Sequence, residues 1–141
     1  MCSSDLAASP SALATDGEAA HPQVVRGTSE KERLFELDST NMAGIRAALA
    51  GVVSHGTAAA SRIEGLTLAG KTGTAQNGLP EEHKPDHAWF VGFAPADNPK
   101  IVVAVMIEFG GHGTRSAHIA SKIIEHYLKA TPKQLLSTEG F

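Results

Sequence analysis

The 141-residue sequence has a single cysteine, Cys2, and only 5% aromatic residues. One cysteine excludes a disulfide framework and a zinc site built from cysteines, and so few rings disfavour a surface on which nucleic-acid bases stack. The net charge is -3 and there is no run of lysine and arginine, so we expect no nucleic-acid partner. The longest apolar run, residues 101–107, is too short to cross a bilayer, and the N-terminus does not resemble a signal peptide.

Hydrophobic residues make up 42% of the sequence and charged residues 19%, which is typical of a globular chain that can bury a core. The length predicts one domain or part of one. Residues 1–11 are mostly small and polar without periodicity, so we expect a disordered or non-native N-terminus there. Residues 12–141 carry the patterned segments and form the rest of the predicted domain.

A helix is predicted in the first half of the chain. Asp38 or Ser39 provides a natural N-cap, and Gly56 provides a natural stop. Between them the apolar residues recur at helical spacing and form one face. They are Met42, Ile45, Leu49, Val52 and Val53.

Three strands and a second helix follow. Residues 66–69 alternate and run into residues 70–74, while residues 88–94 and 101–109 are joined by a short turn, which predicts antiparallel pairing. The run at 101–109 is almost continuously apolar, which indicates a central strand covered on both faces. The closing helix stops before Pro132. Its apolar residues on one side are Ile119, Ile123, Tyr127 and Leu128.

This order of elements, helix, strand, strand, strand, helix, predicts an α+β fold. In it, an antiparallel sheet of three strands is flanked by helices. We find no internal repeat in the sequence.

The segment Lys71-Thr72-Gly73-Thr74, called the KTGT segment below, carries the most informative chemistry. Lys71 offers a compact positive charge, and Thr72 and Thr74 point the same way because side chains alternate along a strand. Gly73 lets a ligand backbone lie close, and a backbone N–H could face an oxygen that gains negative charge. Together these groups predict an edge surface for a small acidic peptide.

The residues around this segment resemble the transpeptidase domain of class B penicillin-binding proteins, over about residues 12–130. Lysine-threonine-glycine is one of the three motifs of serine penicillin-recognising enzymes. The whole pattern is most similar to the elongation-type branch, penicillin-binding protein 2. The matching stretches are Ala12-Leu13-Ala14-Thr15-Asp16-Gly17 with Pro22 and Val24-Val25, Gly56-Thr57-Ala58, Ala69 to Gln76, His87 to Pro95, and Pro99 with Ile101 to Gly111.

The resemblance implies a role in cross-linking peptidoglycan by acyl transfer from D-alanyl-D-alanine stem peptides, which β-lactams mimic. By that resemblance Lys71, Thr72, Gly73 and Thr74 would bind the terminal carboxylate, and the Thr74 backbone N–H would be an oxyanion-hole donor. It also implies β-lactams and, through the full-length parent, other cell-wall elongation proteins as partners. No cofactor is expected. The parent would lie at the cytoplasmic membrane and face the periplasm or exterior.

One motif of the family is missing from this sequence. No S-x-x-K occurs, so neither the serine nucleophile nor its lysine is present. Ser39-Thr40-Asn41 fits S-x-N, but in the family that motif lies much further upstream, and Ser39 is better placed as a helix cap. We therefore interpret the chain as the C-terminal portion of a transpeptidase and expect it to be inactive alone.

Two alternatives remain open from the sequence. Residues 65–72, from Gly65 to Thr72, satisfy the phosphate-binding pattern G-x-x-x-x-G-K-[ST], which would make the chain a nucleotide-binding domain. That pattern requires a helix after the loop, whereas Gly73, Gly78 and Pro80 disfavour one. The other alternative is a non-catalytic peptide-binding module that retains only the substrate strand.

Seven histidines raise the possibility of a metal site. His83 and His87 are four residues apart, but nearby prolines place them on a loop rather than on one face of a helix, and no H-E-x-x-H occurs. We therefore predict exposed loop histidines and no metal. The turn Gly110-Gly111-His112-Gly113 is predicted to be mobile.

Overall fold

The computed structural model describes residues 3–23, 25, 27, 30–78 and 85–129. Three α-helices and five strands occur within those ranges, together with a short 3-10 helix at Ala59–Ser61. In chain order the elements are α1 (Ser3–Ala14), β1 (Glu18–Ala20), β2 (Lys31–Arg33), α2 (Ser39–Ser54), β3 (Ala69–Ala75), β4 (His87–Ala94), β5 (Ile101–Ile107) and α3 (Thr114–Lys129).

The main sheet has the strand order β3-β4-β5, and both pairings are antiparallel. Phe90 on β4 lies between Thr72 on β3 and Val105 on β5, which fixes the register across the sheet. β1 and β2 form a separate two-stranded hairpin. The predicted α+β fold, with an antiparallel sheet flanked by helices, is confirmed.

Two apolar clusters cover the two faces of the sheet. Phe90 and Val103 pack with Ile124 and Ala120 of α3 in the larger cluster. Phe93 belongs to the second cluster, in which α1 and α2 contribute Ala14 and Leu49, respectively. Because strand side chains alternate between faces, the neighbouring positions of β4 supply both clusters, and β4 is the buried centre of the fold.

The N-cap of α2 is the one that the sequence predicts. The Asp38 carboxylate accepts a hydrogen bond from the Asn41 backbone N–H at 2.9 Å, and Ser39 is the first helical residue. This backbone hydrogen bond from Asn41 holds the pKa of Asp38 below its ordinary value of 3.8. The helix ends at Ser54, two residues before the predicted stop at Gly56.

The prediction of loose structure at residues 1–11 is wrong from residue 3 onwards. Helix α1 begins at Ser3 and continues through Pro10, and Ala12 and Ala14 on its last turns are buried. The helix escaped detection because its apolar residues are nearly all alanine, which gives little periodic contrast. Residues 1 and 2 lie outside the described residues.

The prediction of a central position for the last strand is also wrong within the described part of the chain. β5 pairs only with β4 and forms one edge of the three-stranded sheet, while β4 is central. Helices α1 and α3 both contact β5. An apolar run reports burial of the two faces of a strand, and burial of faces does not require a neighbour on both edges.

Helix α3 does not bury the apolar side that the sequence indicates. Ile119, Ile123 and Tyr127 are 43%, 45% and 42% exposed. The side that faces the sheet is built mainly from small residues, which allow a close approach. Its buried members are Ser116, Ala117, Ala120, Ser121 and Ile124. The exposed residues line a shallow groove with Ile101 of β5.

Two further predictions are touched by the described ranges. His83 lies outside the described residues. His87, which was predicted on an exposed loop, is the first residue of β4 and is partly buried. In the described part of the chain, no helix is both long enough and apolar enough to cross a membrane.

Candidate substrate-binding site

The KTGT segment lies in the middle of β3, an edge strand of the main sheet. Its register places Lys71 opposite Val91 and Thr74 opposite Ala88 on β4. The preceding Gly70 fits there because of packing: a Cβ at this position would lie 2.4 Å from Phe90 Cζ and 2.6 Å from the Val91 carbonyl oxygen. The buried phenyl ring of β4 therefore requires a residue without a side chain just before Lys71.

Polar groups of the segment are held by short local contacts. The Lys71 ammonium donates to the backbone carbonyl of Thr72 at 2.7 Å, and Lys71 is exposed. In the part of the chain that the structure describes, this ammonium forms no salt bridge. Its positive charge is therefore available to an incoming anion.

Thr72 is bonded to a residue from the other end of α2. Its Oγ1 lies 2.7 Å from Oγ1 of Thr57, which follows the helix in the Gly56-Thr57-Ala58 turn. The turn is held in place because the Ala58 N–H donates to the Val52 carbonyl at 3.0 Å. Helix α2 thus places a second hydroxyl beside the substrate strand.

All four residues of the KTGT segment line one open cavity of about 450 Å³. The wall opposite β3 comes from the beginning of α3 and the turn before it. The lining residues are Thr57, Lys71, Thr72, Gly73, Thr74, His112, Gly113 and Thr114. The cavity combines one cation, three threonine hydroxyls besides that of Thr57, and an imidazole, and this set suits a small acidic ligand.

The turn Gly110-Gly111-His112-Gly113, called the glycine-rich turn below, lies directly against the KTGT segment. A Cβ at Gly113 would lie 2.7 Å from the Gly73 carbonyl oxygen and 2.6 Å from that of Trp89. Gly113 therefore makes the close backbone approach to Gly73 that the sequence assigned to a ligand. This packing sets the width of the cavity at its glycine.

The P-loop alternative is wrong. Lys71 and Thr72 lie on β3, which continues to Ala75 and pairs with β4 along its whole length. A phosphate-binding loop requires backbone N–H groups at the N-terminus of a following helix. In this chain Gly70 meets the pattern because Phe90 needs the space, and Gly65, at φ +74°, belongs to a separate turn.

Sequence reasoning missed two of the side chains that line the site. Thr57 was part of a matching stretch but was assigned no role, because only the fold brings it next to Thr72. His112 was placed on a turn predicted to be mobile. Ser39, whose S-x-N match was judged to be a helix cap, begins α2 and is absent from the cavity lining.

The fold and the site define a penicillin-recognising transpeptidase domain. The family model described as "Penicillin binding protein transpeptidase domain" matches residues 4–125. The chain belongs to this family, the class B penicillin-binding proteins.

Two curated relatives are D,D-transpeptidases by name. Peptidoglycan D,D-transpeptidase MrdA of Acinetobacter baumannii is 34% identical over 125 residues, which cover 81% of this chain and 19% of the relative. Peptidoglycan D,D-transpeptidase PbpA of Mycobacterium tuberculosis is 42% identical over 76 residues, which cover 50% of this chain and 16% of the relative. The chain thus spans less than a fifth of the length of these relatives.

Solved structures of the family have the same architecture. The D,D-transpeptidase domain of a peptidoglycan glycosyltransferase from Eggerthella lenta superposes with a TM-score of 0.74 at 31% identity, over 89% of this chain and 31% of that one. The imipenem acyl-enzyme of penicillin-binding protein A from M. tuberculosis gives 0.72 at 27% identity, over 87% and 30%. A complex of penicillin-binding protein 2 and MreC from Helicobacter pylori gives 0.71 at 29%, over 87% and 24%.

Proposed function

We propose that this chain supplies the carboxylate-binding strand of a peptidoglycan D,D-transpeptidase, and that its ligand is the C-terminal D-alanyl-D-alanine of a stem peptide. The observation that carries the proposal is the cavity in which Lys71, Thr72 and Thr74 converge at an edge strand. An extended peptide can lie along such an edge and use main-chain hydrogen bonds for affinity. Its terminal carboxylate would meet one ammonium and two hydroxyls, which give charge-assisted hydrogen bonds.

The chemistry of acyl transfer assigns a further role to Thr74. A tetrahedral intermediate carries a negative oxygen, and a backbone N–H aimed at that oxygen stabilises it. We assign the Thr74 N–H to this role because an edge strand directs alternate N–H groups away from its partner. Loss of one such donor typically lowers the rate about a hundred- to a thousandfold. The serine that would be acylated has no counterpart in this sequence, so the reaction needs other parts of the parent enzyme.

β-Lactams are proposed as a second ligand class for the same site. They mimic the D-alanyl-D-alanine terminus, and a related protein has been solved as an imipenem acyl-enzyme. We also propose that the parent enzyme acts at the cytoplasmic membrane, faces the periplasm or exterior, and works with other proteins of cell-wall elongation. The complex of a related penicillin-binding protein 2 with MreC supports that partner class.

A pair of ligands tests the carboxylate assignment on the chain itself. N-acetyl-D-alanyl-D-alanine and its C-terminal amide differ only in the charged group, and binding is followed by amide shifts of Thr72 and Thr74 in NMR titrations. We expect the acid to bind about tenfold more tightly than the amide, because a hydrogen bond to a charged group contributes about 1.5–3 kcal/mol when buried and less in an open cavity.

Matched lysine substitutions complete the test. Lys71→Met removes the cation from the cavity, whereas Lys100→Met removes an exposed lysine next to β5, so both variants lose one charge. The acid should lose its advantage over the amide in Lys71→Met and keep it in Lys100→Met. Equal binding of acid and amide by the unmodified chain would refute the proposal.

The non-catalytic peptide-binding module differs from this proposal only in what the rest of the protein does. The absence of S-x-x-K from the sequence is the observation that favours it. The reading frame upstream of Met1 separates the two: S-x-x-K followed by S-x-N there supports the transpeptidase, and an upstream frame without either motif supports the module.

A further inference from the structure

Four hydrogen bonds and backbone contacts tie the beginning of β4 to the turn that walls the candidate site. The Gly111 N–H donates to the Asp86 carbonyl at 2.8 Å, and Ser116 Oγ donates to the Ala88 carbonyl at 3.0 Å. Gly113 lies against the Trp89 carbonyl oxygen. Residues 86–89 thus contact the glycine-rich turn and the first turn of α3 at successive positions.

One of these ties is made by a side chain. Nδ1 of His87 accepts a hydrogen bond from the Phe109 backbone N–H at 3.1 Å. The two rings also touch, with centroids 4.9 Å apart and planes inclined by 48°. Since the N–H is the donor, Nδ1 must carry the lone pair, and the neutral imidazole holds its proton on Nε2.

Phe109 is the residue that turns the chain out of β5. It has a φ of +53°, one of two positive values among the described non-glycine residues. A phenylalanine adopts this left-handed conformation only when its surroundings hold it there. The imidazole supplies two such restraints, the acceptor for the Phe109 N–H and the ring contact.

We infer that His87 is a positioning residue for the carboxylate site: it fixes Phe109 in its left-handed conformation and so seats the glycine-rich turn against Gly73. The inference rests on the proposed function for its consequence, because the seated turn places His112 and Gly113 on the wall of the cavity that faces the KTGT segment. Without the acceptor at Nδ1, the Phe109 N–H has to find another partner and the turn loses its defined start. The cavity then has no fixed width.

Three substitutions at His87 separate the hydrogen bond from the ring. His87→Asn places an oxygen near the position of Nδ1 and removes the ring. His87→Gln carries the same amide one carbon further out, near the position of Nε2, where it cannot serve Phe109. His87→Leu has no acceptor at all. Asparagine and leucine are similar in size, so the hydrogen-bonding group is the principal difference between those two variants.

Two measurements on the full chain test the inference. Amide hydrogen exchange of Phe109 and Gly111 reports the seating of the turn, and NMR titration with N-acetyl-D-alanyl-D-alanine reports the site. Both exchange rates and dissociation constants should rise about two- to tenfold in His87→Leu and His87→Gln, the effect of one hydrogen bond. His87→Asn should stay within about twofold of the unmodified chain in both. Equal exchange in all four chains, or equal loss in the Asn, Gln and Leu variants, would overturn the inference.

The design keeps the inference separate from the function on which it rests. If the unmodified chain does not bind the peptide, the proposed function fails, and hydrogen exchange at Phe109 still decides whether His87 seats the turn. If His87→Leu does not fold, the Asn and Gln pair still gives the comparison. Unchanged exchange in the middle of α2 confirms that each variant has kept its fold.

Discussion

The hydroxyl oxygens of Thr57 and Thr72 lie 2.7 Å apart and join the turn after α2 to the substrate strand. If Thr57 donates in this pair, the proton of Thr72 is left to point at a ligand oxygen, and each hydrogen bond strengthens the next. The two residues are 15 positions apart, and β3 would present a freely rotating hydroxyl without the neighbour from α2. The pair therefore orients one of the groups proposed to bind the carboxylate.

Thr57→Val should weaken binding of N-acetyl-D-alanyl-D-alanine about two- to tenfold, because valine keeps the shape of threonine and removes the hydroxyl. Thr57→Ser keeps the hydroxyl and should restore most of the affinity. Dissociation constants from NMR titration check both. A Thr57→Val chain that binds as the unmodified chain does would show that Thr72 orients itself.

The isolated chain should form no covalent adduct with a fluorescent penicillin. Acylation requires a serine activated by a nearby base, and S-x-x-K is absent from the sequence. Intact-protein mass spectrometry after incubation should return the unmodified mass, while a penicillin-binding protein with its S-x-x-K gains the mass of the drug. A labelled serine in this chain would place a nucleophile where none is expected.

Two glycine-to-alanine substitutions should change stability in opposite directions. Gly70→Ala forces a Cβ to 2.4 Å from the buried Phe90 ring and should destabilise the fold by about 1–3 kcal/mol. Gly44→Ala lies inside α2 with no atom within 4 Å of the new Cβ and should stabilise by about 0.5–1 kcal/mol. Urea unfolding of the three chains measures both. A neutral Gly70→Ala would remove the packing explanation for this glycine.

Met106→Lys should reduce self-association of the chain. Met106 is 40% exposed on β5, the edge strand whose seven residues carry no charge, and an uncharged apolar edge is a template for pairing with another chain. Ala48→Lys adds the same charge at an exposed position of α2 and serves as the control. Sedimentation velocity over a range of concentrations should show less dimer and aggregate for Met106→Lys only.

Acid should weaken the N-cap of α2. Since the folded state holds the pKa of Asp38 below 3.8, the charged cap stabilises the fold above that value, and this contribution is lost as the pH falls through the lower, folded pKa. Asp38→Asn retains a capping oxygen without the charge. The difference in melting temperature between the two chains should therefore shrink below about pH 4, because the other carboxylates are common to both. A difference that stays constant from pH 6 to pH 2.5 would contradict this account.

Local chemistry made much of the fold predictable. Asp38 could be identified as a cap because a carboxylate at that position satisfies free N–H groups of a helix start. The KTGT segment could be placed on a strand because residues 66–69 alternate before it, although the ladder begins only at Ala69. The strands at 87–94 and 101–107 followed from β-branched and aromatic runs separated by a proline-rich turn.

What the sequence could not reveal depends on contacts between distant segments. The exposed Ile119 and Tyr127 share a helix with the buried Ser116 and Ala120, and hydropathy alone favours the opposite orientation. Ser116 is buried because its hydroxyl meets the Ala88 carbonyl. In the same way, His87 and Thr57 have partners 22 and 15 residues away, and no local pattern announces such pairs.

Arg46 ties the region before β1 to α2. Its guanidinium donates from Nε to the Leu13 carbonyl at 2.9 Å and meets the Asp16 carboxylate at 3.0 Å, and its side chain is only 18% exposed. Removal of residues up to 17 from the N-terminus would strip both acceptors from a sheltered cation, which is far more costly than loss of a surface ion pair. Minimal versions of the chain, and split enzymes assembled from it, therefore need a junction upstream of α1.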